Sequence, residues 1–140
     1  MKIAIASDHG GFHLKQAILN FLEEKEYLYQ DFGCYSTDSV DFPEYARLVS
    51  KEVVQNQSLG ILCCGTGIGM SIAANKVHGV RASVVSDPFS AIMTRKHNNS
   101  NIICLGERTL GKDLALLLLD LWLSTEFEGG RHQKRLEKME

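Results

Sequence analysis

Short apolar runs alternate with helix-periodic stretches along this 140-residue chain, and that alternation limits its fold more than any other feature. Ile3-Ala4-Ile5-Ala6 reads as a buried strand. Leu14, Ala17, Ile18, Phe21 and Leu22 then follow the i, i+3, i+4, i+7, i+8 rule of an amphipathic helix. Tyr27 to Phe32 reads as a second strand, and the polar stretch Cys34 to Asp41 as a loop. Pro43 suits a first helical turn, and Tyr45, Leu48, Val49 and Val53 give that helix an apolar stripe. Leu59 to Cys64 is continuously apolar, as a strand covered on both faces should be. Gly65 to Gly69 breaks it, and Met70 to Lys76 reads as helical. Val80 to Val85 is a fourth strand, and Asp87-Pro88 opens a helix in cap and first-turn order. Asn101 to Leu105 is a fifth strand. Leu110 to Leu123 is a mostly buried helix with Leu114, Leu117, Leu118, Leu121 and Trp122 on one face, and Glu128 to Glu140 is a charged helical tail. The alternation predicts a doubly wound, five-stranded parallel sheet in a three-layer α/β/α sandwich, Rossmann-like in plan.

The length fits one domain spanning residues 1–140, with enough chain for a core. A net charge of −2, with His counted neutral, gives no basic chain for nonspecific nucleic-acid binding. A local anion site remains open. The opening Met1 to Ala6 is too soon interrupted by Asp8-His9 to be a signal peptide, and the greasiest stretch, Leu114 to Leu123, contains Asp120 and is too short to span a membrane. The expectation is a cytoplasmic protein without a membrane partner. Cys34, Cys63, Cys64 and Cys104 form no CxxC pair. That spacing argues against a zinc-thiolate site, and a reducing cytosol against a disulfide. Cys63 and Cys64 should point to opposite faces of their strand.

Ligands of such sheets bind beyond the carboxyl ends of the strands. Asp8-His9-Gly10-Gly11, Cys64-Gly65-Thr66-Gly67-Ile68-Gly69 and Gly106-Glu107-Arg108 all fall there. The glycines after Cys64 let backbone amides converge on an anion at the start of a helix. The loop is neither the dinucleotide fingerprint, because residue 70 is Met70, nor a Walker A loop. Its bland alternative is a tight turn without a ligand. Cys64 sits among amide dipoles that favour a thiolate, able to act as base or nucleophile. The bland alternative is a core thiol, the expected fate of Cys63 and Cys104. His9 can bind phosphate or move a proton, against the simpler picture of Asp8 as a helix cap with His9 exposed. Arg131 and Arg135 share a helix face and could grip a phosphate, or could be a solvated tail. His97, ending the fourth helix, reads on its own as structural.

Together, Asp8-His9-Gly10-Gly11, Cys64 to Gly69 with Ala73-Ala74-Asn75-Lys76, Arg95-Lys96-His97-Asn98 and Glu128-Gly129-Gly130-Arg131-His132 are far more specific. In this order they resemble the type B ribose-5-phosphate isomerases, in the family that also holds the galactose-6-phosphate isomerase subunits, over essentially the whole chain. The resemblance implies interconversion of ribose 5-phosphate and ribulose 5-phosphate through a cis-enediolate, without metal or organic cofactor. It implies Cys64 as the base moving a proton between C2 and C1, and Thr66 as the group moving protons between O1 and O2. It implies the amides of Gly65, Thr66, Gly67, Ile68 and Gly69 as the anion hole, and His97 as the ring-opening residue. It also implies Asp8 holding the sugar, His9, Arg108, Arg131 and Arg135 on the phosphate, and Asn98 on a hydroxyl. Another branch of that family carries a Glu just after the glycine loop. Here Met70 cannot take a proton, so if the chain is catalytic, Cys64 is the one candidate base in that loop.

His97 ends the helix after strand four, so it belongs near the amino edge of the sheet, while Cys64 lies at the carboxyl edge. One subunit should not bring them together. The expectation is a homodimer in which His97 and Asn98 enter the partner's pocket, as the resemblance also implies, with pairing into tetramers left open. Two rivals stand beside this reading. One is the same chemistry on a hexose 6-phosphate, allose or galactose, whose length the loop Cys34 to Asp41 could set. The other is a sugar-phosphate binding module without turnover, which would not need Cys64, Thr66 and His97 together. A redox role for Cys63-Cys64 lacks the CxxC spacing.

Overall fold

The computed structural model describes residues 2–140. Five strands form one all-parallel sheet: β1 (Ile3–Ser7), β2 (Tyr29–Asp31), β3 (Gly60–Cys64), β4 (Ala82–Val84) and β5 (Ile102–Gly106), ordered β2-β1-β3-β5-β4. Six helices connect and flank them: α1 (Phe12–Glu24), α2 (Phe42–Asn56), α3 (Ile68–Ala74), α4 (Pro88–Lys96), α5 (Lys112–Leu123) and α6 (Arg131–Glu137). This is the predicted three-layer plan. The central strands β1, β3 and β5 are buried throughout, which is why they read as unbroken apolar runs. The short edge strands β2 and β4 are only partly buried. No helix among the described residues is long and apolar enough to cross a membrane.

The pleat sends alternate side chains into two cores. Ile3, Ile5, Ile61, Cys63, Ile103 and Leu105 meet α1, α4 and α5 on one face. Ala4, Ala6, Leu62, Cys64, Ile102 and Cys104 meet α2 and α3 on the other. Cys63 and Cys64 therefore do point to opposite faces. Met70 is fully buried in the second core, a packing residue where a proton carrier would need access.

Two predicted stripes are displaced. In α5, Leu114 and Leu117 are exposed, and Ala115, Leu118, Leu119 and Trp122 face the core. A helix apolar almost all round offers periodicity no single face to choose, and the small Ala115 sits inside. In α2, Leu48 is exposed while Ala46, Val49, Ser50 and Val53 are buried. Helix α3 starts two residues earlier than its apolar pattern suggests, because Gly67 at φ 81° turns the chain straight into Ile68. Asp87 caps α4 as predicted, accepting the Ser90 N–H at 2.8 Å with Pro88 in the first turn.

Lys15 departs from the simple pattern. It lies in α1 yet is fully buried, and its Nζ donates to both Asp31 carboxylate oxygens at 2.8 and 2.9 Å and to the Cys34 carbonyl at 2.6 Å. Asp31 also accepts the Gly33 N–H at 2.9 Å. The buried cation thus joins α1, the end of β2 and the start of the 34–41 loop. Removing it leaves a mostly buried carboxylate and a carbonyl without their donor. Lys15→Met should therefore lower unfolding stability by about 3–5 kcal/mol, read as a drop in urea midpoint. A change under about 1 kcal/mol would mean the ion pair barely outweighs its desolvation.

Candidate active site

The loops after β1 and β3 leave the sheet toward opposite faces, since α1 covers one core and α3 the other. Between these two strands the winding reverses, and the crevice at their carboxyl ends is where doubly wound folds bind ligands. Asp8 to Gly11 and Cys64 to Gly69 line it. After Asp8, His9–Gly11 makes one tight turn. Asp8 is its cap, with Oδ1 accepting the Gly10 N–H at 2.9 Å and the Gly11 N–H at 3.1 Å. So the bland expectation for Asp8 holds at least for one oxygen. Gly11 packs so closely on β3 that a Cβ there would lie 2.5 Å from the Cys63 carbonyl oxygen and 2.7 Å from the Cys64 nitrogen. A Cβ on Gly10 would sit 3.3 Å from the Gly65 nitrogen. The glycines let the two loops meet.

Cys64 closes β3 and is 6% exposed. Its Sγ accepts the Gly67 N–H at 3.0 Å. Burial pushes the Cys63 and Cys104 thiols up, holding both as neutral core groups, as expected. Position and this amide contact set Cys64 apart from them. Thr66 is exposed, and its Oγ1 accepts the Ile68 N–H at 3.2 Å. The Gly67 and Ile68 amides are thus engaged within the loop itself, so an anion hole built from all five residues is not fully open in this conformation. The β5 loop crosses close by. Glu107 and Arg108 donate their N–H groups to the Cys64 and Gly65 carbonyls at 2.9 Å each, and Arg108 Cδ lies 3.3 Å from where a Gly65 Cβ would stand.

His9 is half-buried, and its Nδ1 accepts the Val40 N–H at 3.2 Å. A neutral ring whose Nδ1 accepts carries its proton on Nε2, which leaves Nε2–H as a donor for a ligand. The 34–41 loop therefore belongs to the site. It is fastened at one end through Cys34 to Lys15 and at the other through Val40 to His9.

The remaining candidates form a second group. His97 caps the end of α4, opposite in the sheet to the Asp87 end. With Asn98, Arg131, His132 and Arg135 it lines a cleft of about 340 Å³ between α4 and α6. The His97 and His132 rings stack, with centroids 4.3 Å apart. Among the described residues no hydrogen bond or ion pair joins this group to Cys64, Thr66, Asp8, His9 or Arg108. The three arginines expected on one phosphate are divided, Arg108 beside Gly65 and Arg131 with Arg135 beside His97. Two residues inside the candidate segments were given no role there: Glu107, whose Oε1 accepts the Leu14 N–H at 2.7 Å, and Glu128, which contacts His132. The four-residue spacing of the latter pair was visible but fits any helix surface.

Fold and site together define a doubly wound α/β protein with a thiol-bearing glycine loop at its switch point. A family profile described as Ribose/Galactose Isomerase matches residues 3–139. The chain is 46% identical over 137 residues to ribose-5-phosphate isomerase B of Escherichia coli, covering 97% of this chain and 92% of that protein. The solved ribose-5-phosphate isomerase B of Clostridium thermocellum superposes with a TM-score of 0.98 at 49% identity, covering 99% of this chain and 95% of that one. The Mycoplasma genitalium ribose-5-phosphate isomerase B, solved with bound ribulose 5-phosphate, gives 0.95 at 42% identity, covering 99% and 93%. This chain belongs to the ribose/galactose isomerase family.

Proposed function

We propose that the chain is a single sugar-phosphate isomerase domain interconverting ribose 5-phosphate and ribulose 5-phosphate, with Cys64 as the base. The observation that carries this is the Cys64 Sγ, held by the Gly67 N–H at 3.0 Å inside the switch-point crevice. As a thiolate, Cys64 takes the C2 proton of the open-chain aldose. The electron pair moves through C1 to the former carbonyl oxygen and leaves a cis-enediolate. Thr66 moves a proton between O1 and O2, and the Cys64 thiol returns the carbon proton to C1. Donors aimed at the developing oxyanion lower the barrier, supplied by loop amides as the sugar displaces their present contacts. Metal or organic cofactor is not needed for these transfers.

The substrate's other end fits the remaining groups. His9 Nε2–H and Arg108 hold the phosphate from one subunit, and Arg131 and Arg135 from the partner. The partner's His97 opens the furanose ring and its Asn98 holds a hydroxyl. With Oδ1 engaged as a cap, Asp8 holds the sugar through Oδ2. The protein acts as a homodimer with shared active sites, in the cytoplasm. The test compares ribose 5-phosphate, allose 6-phosphate and galactose 6-phosphate, following ketose formation. Ribose 5-phosphate should turn over with the highest kcat/KM. A preference for a hexose phosphate would keep the mechanism and replace the substrate. No turnover of any of them would leave a binding module.

A further inference from the structure

His97, Glu128 and His132 bring two imidazoles and a carboxylate together where α4 meets α6. The chain fixes this approach. The Glu128 N–H donates to the Lys96 carbonyl at 3.1 Å, one residue before His97. His132 follows Glu128 by four residues, in the first turn of α6. Glu128 Oε1 lies 3.3 Å from His132 Nε2 and 4.0 Å from His97 Nε2, and one ligand atom from each residue lies within 4.8 Å of the others. His132 is buried, while the His97 and Glu128 side chains are 44% and 49% exposed. Within one subunit the cluster is rooted on one side and open on the other.

Two imidazoles and one carboxylate are a familiar donor set for zinc with an open fourth position. With bonds of about 2.0–2.1 Å, neighbouring donors of a tetrahedral ion stand about 3.3 Å apart. The Glu128–His132 pair already has that spacing. The Glu128–His97 gap must close by about 0.7 Å to match it. The His97 ring must also turn, because it now lies only 16° from parallel to His132, and parallel rings do not aim their lone pairs at one point. Half-exposed at the end of its helix, His97 has the freedom for that turn. Nitrogen donors suit zinc, copper, nickel and cobalt, whereas magnesium and calcium favour oxygen alone.

We propose that His97, Glu128 and His132 form a binding site for a borderline transition-metal ion, with Zn²⁺ as its reference ligand, and that the bound ion takes His97 Nε2 out of use. The binding itself is independent of the enzymatic reading. The consequence, reversible inhibition of isomerisation, rests on the reading of His97 as the ring-opening residue.

Chelator-treated protein titrated with Zn²⁺ by calorimetry, and with Co²⁺ by visible absorption, tests the site directly. One ion per chain and the intense bands of low-coordinate cobalt are expected. Glu128→Gln, at an exposed position, and His132→Gln should each weaken Zn²⁺ binding at least about tenfold. His78→Gln, at an exposed imidazole outside the cluster, should leave it unchanged, separating this site from adventitious histidine binding. No binding, equal binding in Glu128→Gln, or loss of binding in His78→Gln would each overturn the proposal. Turnover is then followed with Zn²⁺ and after chelator. Inhibition that the chelator reverses and Glu128→Gln blunts is expected. Zinc bound at this site with turnover unaffected would leave the site standing and remove His97 from the ring-opening role.

Discussion

Cys64→Ala should lower kcat/KM for ribose 5-phosphate by roughly 10³-fold, the range a positioned base contributes. The loss should fall on kcat, because the phosphate contacts lie elsewhere. Alanine is smaller than cysteine and just as suited to the buried second core, so overpacking does not arise. The Gly67 N–H loses its sulfur acceptor, a cost of about 1 kcal/mol that leaves the fold intact. Thermal melts of the variant beside steady-state ketose formation separate the two effects. Cys64→Ser keeps a hydroxyl acceptor for that N–H but removes the thiol, so its stability should recover while its activity stays low. Met70, the residue that follows the loop, is buried and carries no proton, so nothing there can stand in. Activity within tenfold of the parent in Cys64→Ala would end the assignment of the base.

The second large effect is recovery by mixing. Cys64→Ala and His97→Ala proteins should each be nearly inactive alone. When they exchange subunits, each mixed dimer holds one pocket with both losses and one with neither. Random exchange makes half the dimers mixed, with half of their pockets intact, so about a quarter of parental activity should return for a two-fold symmetric dimer. Arg131→Ala should behave as His97→Ala does, since both line the α4–α6 cleft. Arg108→Ala should pair with Cys64→Ala instead and give no recovery with it. Heterodimers demonstrated by mass with no return of activity would place each complete site within one subunit.

The parts of the molecule readable from sequence are those where local pattern and tertiary environment agree. Strand β3 is covered on both faces, so its apolar run and the glycines after it mark both the strand and its ligand loop, and Cys64 stands at their junction. Asp87-Pro88 likewise writes a helix start in two residues. Helix α5 is the opposite case. With apolar residues almost all round, its Leu114 and Leu117 could not be told from Leu118 and Leu119 by periodicity, and only docking against the sheet chooses. Lys15 is illegible for a different reason. Its polarity marks it as a surface residue, and its burial depends on Asp31 and the Cys34 carbonyl, sixteen and nineteen residues away. The separation of His97 from Cys64 was legible once a parallel sheet was read, because a helix following a parallel strand must end at the opposite edge. The division of the arginines was not, because it depends on where α6 returns after α5.

The 34–41 loop is pinned at both feet, at Cys34 by the buried Lys15 and at Val40 by His9, while residues 35–39 between them are all exposed. It is built like a bridge deck on fixed piers. The deck can be exchanged without moving the piers, so a longer or shorter span should recut the outer wall of the crevice while the thiol and the His9 tautomer keep their places. In such an arrangement, the outer wall is a replaceable module and the glycine loop beneath it is the permanent part.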